Sequence, residues 1–174
     1  MSDLTRVAVD AMGGDNAPEE VVKGAVEAVN ASERVKVFLV GRPEAIEPLL
    51  AGAHYPEDRL EIVPASEVIE TGDPPVQSIR RKKDSSIVVG ERMIREQKAD
   101  AFVSAGSTGA VLVGGQLLVG RIRGIERTPL APLIPTEKGF SLLIDCGGIV
   151  GARRRVRVGF ARGGCIYWGE VGGG

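Results

Sequence analysis

At 174 residues, with 22 Lys/Arg against 23 Asp/Glu, the chain is long enough for one good core or one lobe of a larger protein, and too short for two complete domains. The balance hides an asymmetry: residues 1–146 hold 17 basic and 22 acidic side chains, whereas residues 147–174 hold five Arg and one Glu. A net acidic body argues against a nucleic-acid binder, two cysteines without paired ligand spacing argue against a disulfide framework or zinc site, and no apolar run reaches the roughly 18–20 residues of a membrane span.

Short apolar runs alternate with longer helical patterns along the chain. Residues 7–9 read as the first strand, and residues 17–29 as a helix capped by Asn16, with Val22, Val26 and Val29 on one side. A β-rich run at 35–40 ends at Gly41, and 43–50 reads as the next helix. Residues 60–63 read as a third strand, followed by an irregular segment holding Thr71-Gly72-Asp73-Pro74-Pro75. Helical spacing resumes over 85–98, 101–103 form a further strand, and 107–119 the helix after it. Two β-like pieces, 130–134 and 141–144, follow without a long helix between them, which predicts a paired element and allows a mixed sheet. Residues 147–174 hold ten of the 24 glycines and the run Arg153-Arg154-Arg155, so a poorly ordered segment is expected there, with docking through Phe160, Tyr167 and Trp168 as the alternative.

Chemistry concentrates at two glycine-rich junctions. Asp10-Ala11-Met12-Gly13-Gly14-Asp15 places a glycine pair between two carboxylates directly after a strand, where backbone amides can approach an anion closely; a ligand-free tight turn is the other reading. Ser104-Ala105-Gly106-Ser107-Thr108-Gly109-Ala110 also follows a strand, and collects amides and three hydroxyls suited to a phosphate or oxyanion. It lacks the Gly-Lys-Ser/Thr ending of a nucleotide-hydrolase loop and the three-glycine dinucleotide spacing. Together the junctions predict a cleft at parallel strand ends. The cations of Arg80-Arg81-Lys82-Lys83 read either as a solvated strip or as a patch that recruits an anionic partner. His54 reads as a surface histidine, Met12 as closing its turn against the core, and Cys146 as a packed strand-end residue.

With these motifs the chain resembles the bacterial phosphate acyltransferase family. The resemblance rests on five motifs in family order over residues 6–146: Asp10 to Asp15; Glu67-Val68-Ile69-Glu70 with Asp73 and Pro75-Val76; Arg81-Lys82-Lys83 with Ser85-Ser86; Ser104 to Ala110; and Gly120-Arg121-Ile122-Arg123-Gly124-Ile125 leading into Pro129-Leu130-Ala131-Pro132. It covers essentially the N-terminal half of the family's length. It implies a three-layer α/β/α Rossmann-like sandwich with a mostly parallel or mixed sheet, incomplete relative to the family fold. Residues 1–146 would be the N-terminal part of that α/β domain, and 147–174 a divergent segment or degraded continuation. Beyond Cys146 the chain departs from the family pattern, with Ile149, Gly151 and Arg154 where members carry Asn, Asp and Pro.

The activity implied by the resemblance is reversible transfer of a long-chain acyl group from acyl-(acyl carrier protein) to inorganic phosphate, giving acyl phosphate for phospholipid synthesis, with no cofactor and no metal. A different α/β enzyme of acyl phosphates or phosphorylated acids, and an inactive fragment that still binds anions, are the alternatives. For this chain, turnover is left open. The implied substrate cradle is Gly13, Gly14, Ser104, Gly106, Ser107, Thr108 and Gly109. Ser107 and Thr108 are the implied stabilisers of the reacting oxyanion, Lys83 is an electrostatic contributor, and Asp10 and Asp15 organise the cleft mouth or act as bases. Arg80, Arg81, Lys82 and Lys83 are the implied docking strip for the acidic carrier protein. A homodimer in the cytoplasm, touching the inner membrane surface peripherally, completes the expectation.

Overall fold

The computed structural model describes residues 4–171 apart from Lys138 and Val150; of the expected C-terminal segment, Val150 and residues 172–174 therefore lie outside the described residues. The chain divides into two compact units, Met1–Val119 and Gly120–Gly174.

In the first unit, strands β1 (Thr5–Asp10), β2 (Val35–Gly41), β3 (Leu60–Pro64) and β4 (Ala101–Val103) form one parallel sheet in the order β3-β2-β1-β4. Registers such as Val7 opposite Val37 and Val7 opposite Ala101 place β1 between β2 and β4. Because successive strand side chains face opposite sides, β2 sends Val37 and Leu39 to one core and Phe38 and Val40 to the other. Helices α1 (Glu19–Ala31) and α2 (Pro43–Leu50) cover the first face through Val22, Ala25, Val29, Ile46 and Leu50. Met93 of α4 (Ser86–Arg95) covers the second. Each fully buried Val, Leu or Ile contributes about 1.5–3 kcal/mol, so the two apolar faces fix the three-layer arrangement.

Local chemistry sets where these helices begin and end. Pro18, not Asn16, stands at the α1 cap position and accepts no side-chain bond there; the Asn16 carbonyl instead takes the Glu20 amide. Helix α4 stops three residues before the predicted boundary. Gln97, at φ 57°, donates to the Ile94 carbonyl and Lys98 to the Met93 carbonyl, an ending that satisfies the last carbonyls and turns the chain into β4. A helix that the sequence reading passed over, α3 (Pro75–Arg81), begins with proline in its first turn and buries only Ser78 and Ile79, too short a pattern to stand out from the adjoining charge run. Helix α5 (Thr108–Gly114) runs into a π-helical turn at Gly115–Val119. A third cluster, Ile69, Ile79, Ile87, Val88 and Ala110, joins α3, α4 and α5.

In the second unit, β5 (Leu133–Thr136) and β6 (Gly139–Leu142) pair antiparallel as a two-stranded sheet of their own. Asp145 receives the amides of Leu130, Gly148 and Ile149 and so closes the loop after β6. Cys146, expected to pack as a strand-end residue, is instead exposed, its amide donating to the Leu130 carbonyl. Residues Arg154–Val171 form helix α6, where the glycine and arginine content predicted poor order. Two of its glycines serve close packing: a Cβ on Gly163 would stand 3.1 Å from Ile125 Cδ1, and one on Gly164 would stand 2.8 Å from Ile144 Cδ1. Phe160 and Ile125 are buried. Among the described residues no helix is long and apolar enough to cross a membrane.

Candidate functional site

The chain adds β2 and β3 on one side of β1 and then returns to place β4 on the other, so the direction of winding reverses between β1 and β4. Crevices form at such reversals, outside the carboxyl ends of the strands. Both ends of this strand pair are pinned by contacts between residues 94 apart. At the amino end, Arg6 Nη2 lies 2.7 Å from Asp100 Oδ1, and the Arg6 side chain and amide hold the Asp100 carboxyl down to about 2. At the carboxyl end, Ser104 Oγ donates to Asp10 Oδ2 at 2.7 Å.

Asp10 is 1% exposed, and its second oxygen accepts the Met12 amide at 3.1 Å. The Ser104 hydroxyl in turn accepts the Gly106 amide at 3.0 Å, so a single carboxylate ties the two glycine junctions together. They come closer than any side chain would permit. A Cβ on Gly13 would stand 2.3 Å from Asp10 Oδ2 and 2.9 Å from the Gly106 amide nitrogen, and Gly14 turns at φ 113° against Ala105. Ser107 is buried at the α5 cap position, where its hydroxyl accepts the Ala110 amide at 3.3 Å. Thr108 is exposed, and the first-turn amides of Thr108 and Gly109 have no helical carbonyl to pair with. Gly109 faces Pro75 of α3, where a Cβ would come within 2.9 Å of Pro75 Cγ. Asp15 is exposed on its turn, and Met12 packs at the end of β2 beside Gly41.

The segment between β3 and α4 is held by its own charges. Lys82 Nζ lies 2.6 Å from Asp73 Oδ2 and 2.7 Å from the Val68 carbonyl, and that contact lowers the Asp73 carboxyl below its ordinary range. Asp84 accepts the Ser66 hydroxyl and amide, which lower its own carboxyl, while its amide donates to Glu67 Oε2. Of the four cations in the basic strip, Lys82 is thus committed to an internal ion pair, and Arg80, Arg81 and Lys83 are exposed.

A family model described as "Fatty acid synthesis protein" matches residues 5–174. The chain belongs to this family. Similar proteins include a phosphate acyltransferase of Alkaliphilus oremlandii, 48% identical over 166 residues, covering 95% of this chain and 49% of that protein. Another from Heliobacterium modesticaldum is 49% identical over 170 residues, covering 95% and 50%. A third, from Thermoanaerobacter pseudethanolicus, is 44% identical over 162 residues, covering 93% and 48%. The chain spans about half the length of the curated relatives it matches. The resemblance read from the five motifs is borne out, and the family match includes the Gly/Arg-rich segment.

Within this family member, one side chain that the motifs did not single out stands apart. Glu91 lies on the buried stripe of α4, four residues after Ile87, where the sequence pattern treats it as one more helical position. It is 2% exposed, and its Oε2 has no hydrogen-bond partner among the described residues. Burial pushes its carboxyl up to about 8, against a smaller opposing effect of the Gly115 amide. Gly114 makes room for it, since a Cβ there would stand 1.8 Å from Oε2. The signal for it was an acidic residue at a core position of the helix, legible only once the packing of α5 and its π-helical turn on α4 is known.

Proposed function

We propose that the chain carries the phosphate cradle of a phosphate acyltransferase, which moves an acyl group from an acyl-(acyl carrier protein) thioester to inorganic phosphate. The observation that supports this best is the meeting of the two glycine junctions at the β1/β4 reversal, tied by Asp10 and Ser104. The chain's similarity to phosphate acyltransferases supports the reaction class. In the reaction a phosphate oxygen attacks the thioester carbonyl, the tetrahedral oxyanion collapses, the carbon–sulfur bond breaks, and the carrier leaves as a thiolate that takes a proton. No group on the protein needs to become acylated. What the protein supplies is orientation and donors aimed at the developing negative charge. The amides of Thr108 and Gly109, the hydroxyls of Ser107 and Thr108, and the loop at Gly13, Gly14 and Gly106 form that cradle, with Ser104 holding its two halves together. Asp10 positions the cradle through the Met12 amide and Ser104 hydroxyl, since a bare carboxylate against phosphate would repel it. Asp15 stands at the mouth, and Lys83 contributes positive potential.

Replacing Ser107 by Ala together with Thr108 by Val, at the matching positions of a full-length relative, is expected to lower kcat for acyl-phosphate formation by about 10²-fold, the usual cost of removing an oxyanion donor. Loss of the Ser107 cap costs about 1 kcal/mol of stability, so Thr108→Val alone, at an exposed position, separates folding from catalysis. Unchanged kinetics in both variants would remove the cradle assignment. Phosphate binding without phosphate-dependent loss of thioester would favour an anion-binding module instead.

The partner reading follows from the same strip of charge. Arg80, Arg81 and Lys83 would steer an acidic carrier protein, while Lys82 serves the Asp73 lock. Arg81→Glu with Lys83→Glu should raise the carrier dissociation constant several-fold at low salt, with the difference shrinking above ~0.15 M as screening sets in. A salt-independent or absent change would reject this docking patch. A second copy of the chain, a cytoplasmic location and peripheral contact with the inner membrane face belong to the same reading.

A further inference from the structure

The second unit holds a cavity of about 610 Å³ whose charge the fold does not neutralise. Arg121, Arg123, Arg155 and Arg162 line it, with Glu126 as the acidic side chain in the lining. Arg155 Nε pairs with Glu126 Oε1 at 2.8 Å, and the Arg121 guanidinium bonds the Glu126 carbonyl. The side chains of Arg123 and Arg162 have no hydrogen bond or ion pair among the described residues. A groove of about 390 Å³ shares Ile122, Arg123, Ile125, Val158 and Arg162 with this cavity and continues along Ala161, Cys165 and Ile166. Its walls are aliphatic, with Ile122, Val158 and Ile166 each about half exposed, and no aromatic ring lines it.

Two unpaired guanidiniums at one end of an aliphatic trough match a molecule with an anionic head and an apolar tail. Guanidinium groups bond phosphate and carboxylate oxygens through paired N–H donors, whereas an aliphatic wall offers a nucleobase nothing to stack on. We propose that this unit binds a single-chain anionic amphiphile, a monoalkyl phosphate or fatty carboxylate, with its head on Arg123 and Arg162 and its chain along Ile122, Val158 and Ile166. The site shares no residue with the cradle and does not rest on the transferase reading.

The test is equilibrium dialysis of the full chain with dodecyl phosphate below its micellar concentration, alongside dodecanoate, inorganic phosphate and the uncharged dodecyl maltoside. Dodecyl phosphate, dodecanoate or both should bind at least about tenfold more tightly than inorganic phosphate and the maltoside, and the tighter of the two heads names the natural one. Arg123→Gln with Arg162→Gln should weaken binding of the anionic amphiphile about tenfold, the sum of two solvent-exposed charge contacts, while the matching double substitution to Lys retains most of it. Val158→Ser should weaken the amphiphile and leave inorganic phosphate unchanged. All three arginine and valine positions are exposed, and circular dichroism checks that the variants remain folded. Inorganic phosphate binding as well as dodecyl phosphate would reduce the site to a charged patch, and equal binding of the maltoside would reduce it to an apolar surface. Unchanged affinity in the glutamine variant, or binding to anionic vesicles without binding to the monomeric amphiphile, would likewise overturn the proposal. None of these readouts involves acyl transfer, so the site and the cradle stand or fall separately.

Discussion

Gly13→Ala should lower the stability of the chain by about 3 kcal/mol and dismantle the cradle at the same time. The added methyl would stand 2.3 Å from Asp10 Oδ2 and 2.9 Å from the Gly106 amide nitrogen, and the second of these neighbours is backbone that cannot rotate away. Overpacking of this kind costs about 1–3 kcal/mol. Relief comes by parting the two junctions, which breaks the Ser104–Asp10 bond and leaves a buried carboxylate oxygen unsatisfied, at a further ~1–3 kcal/mol. For a chain of this size a loss of about 3 kcal/mol corresponds to a fall in Tm of roughly 6–12 °C. Gly24→Ala is the matched control: Gly24 lies inside α1 with nothing within 4 Å of its Cβ position, so alanine should stabilise it by about 0.5–1 kcal/mol. Thermal unfolding of the two variants decides the matter. Equal melting temperatures would mean that the junctions do not meet as described.

The pH dependence of stability should carry the signature of Glu91. In the folded chain this carboxyl keeps its proton up to about 8, while in the unfolded chain it titrates near its ordinary 4.5. Between those values the folded state binds more protons than the unfolded state, so stability falls as pH rises through the window. The loss saturates above about 8 at a value on the order of 3–5 kcal/mol, and it vanishes below about 4.5, where both states are protonated. Carboxyls lowered by their partners, among them Asp73, Asp84, Glu96 and Asp100, act in the opposite sense and in a separate window: their stabilisation is present above their unfolded values and lost as pH drops through their folded values. Glu91→Gln, which keeps the shape and removes the charge, should therefore match the parent near pH 4 and exceed it by a few kcal/mol at pH 8.5. Urea unfolding at the two pH values measures this directly. Parallel profiles for parent and variant would show that Glu91 does not carry the effect.

The strands were legible from local pattern because a parallel sheet covered on both faces demands nearly continuous apolar runs, and residues 7–9, 35–40, 60–63 and 101–103 are such runs, broken only at Lys36 and Glu61. Helix α2 was equally plain, from Pro43 at its start to Leu50 at its end. The glycine junctions could be recognised as places where backbone approaches something closely, since little else in a strand-to-helix turn calls for paired glycines. Family membership was also within reach of the sequence, through five motifs in fixed order.

Other features depend on which residues meet at a distance. The order β3-β2-β1-β4 decides that the reversal falls beside β1, and hence that Asp10 meets Ser104 rather than a residue of β2 or β3. That order makes Ser104 a tie between loops, whereas Lys82 pairs within its own segment and Ser107 caps its own helix. It decides, too, that Glu91 is enclosed by Gly114 and the turn after it, and so keeps its proton. Local sequence sets apolar periodicity and backbone freedom, which are properties of a few adjacent residues. A hydrogen bond across 94 residues, or the desolvation of one carboxylate by another helix, exists only after the whole sheet has closed, because its free energy comes from groups that the neighbouring sequence does not contain.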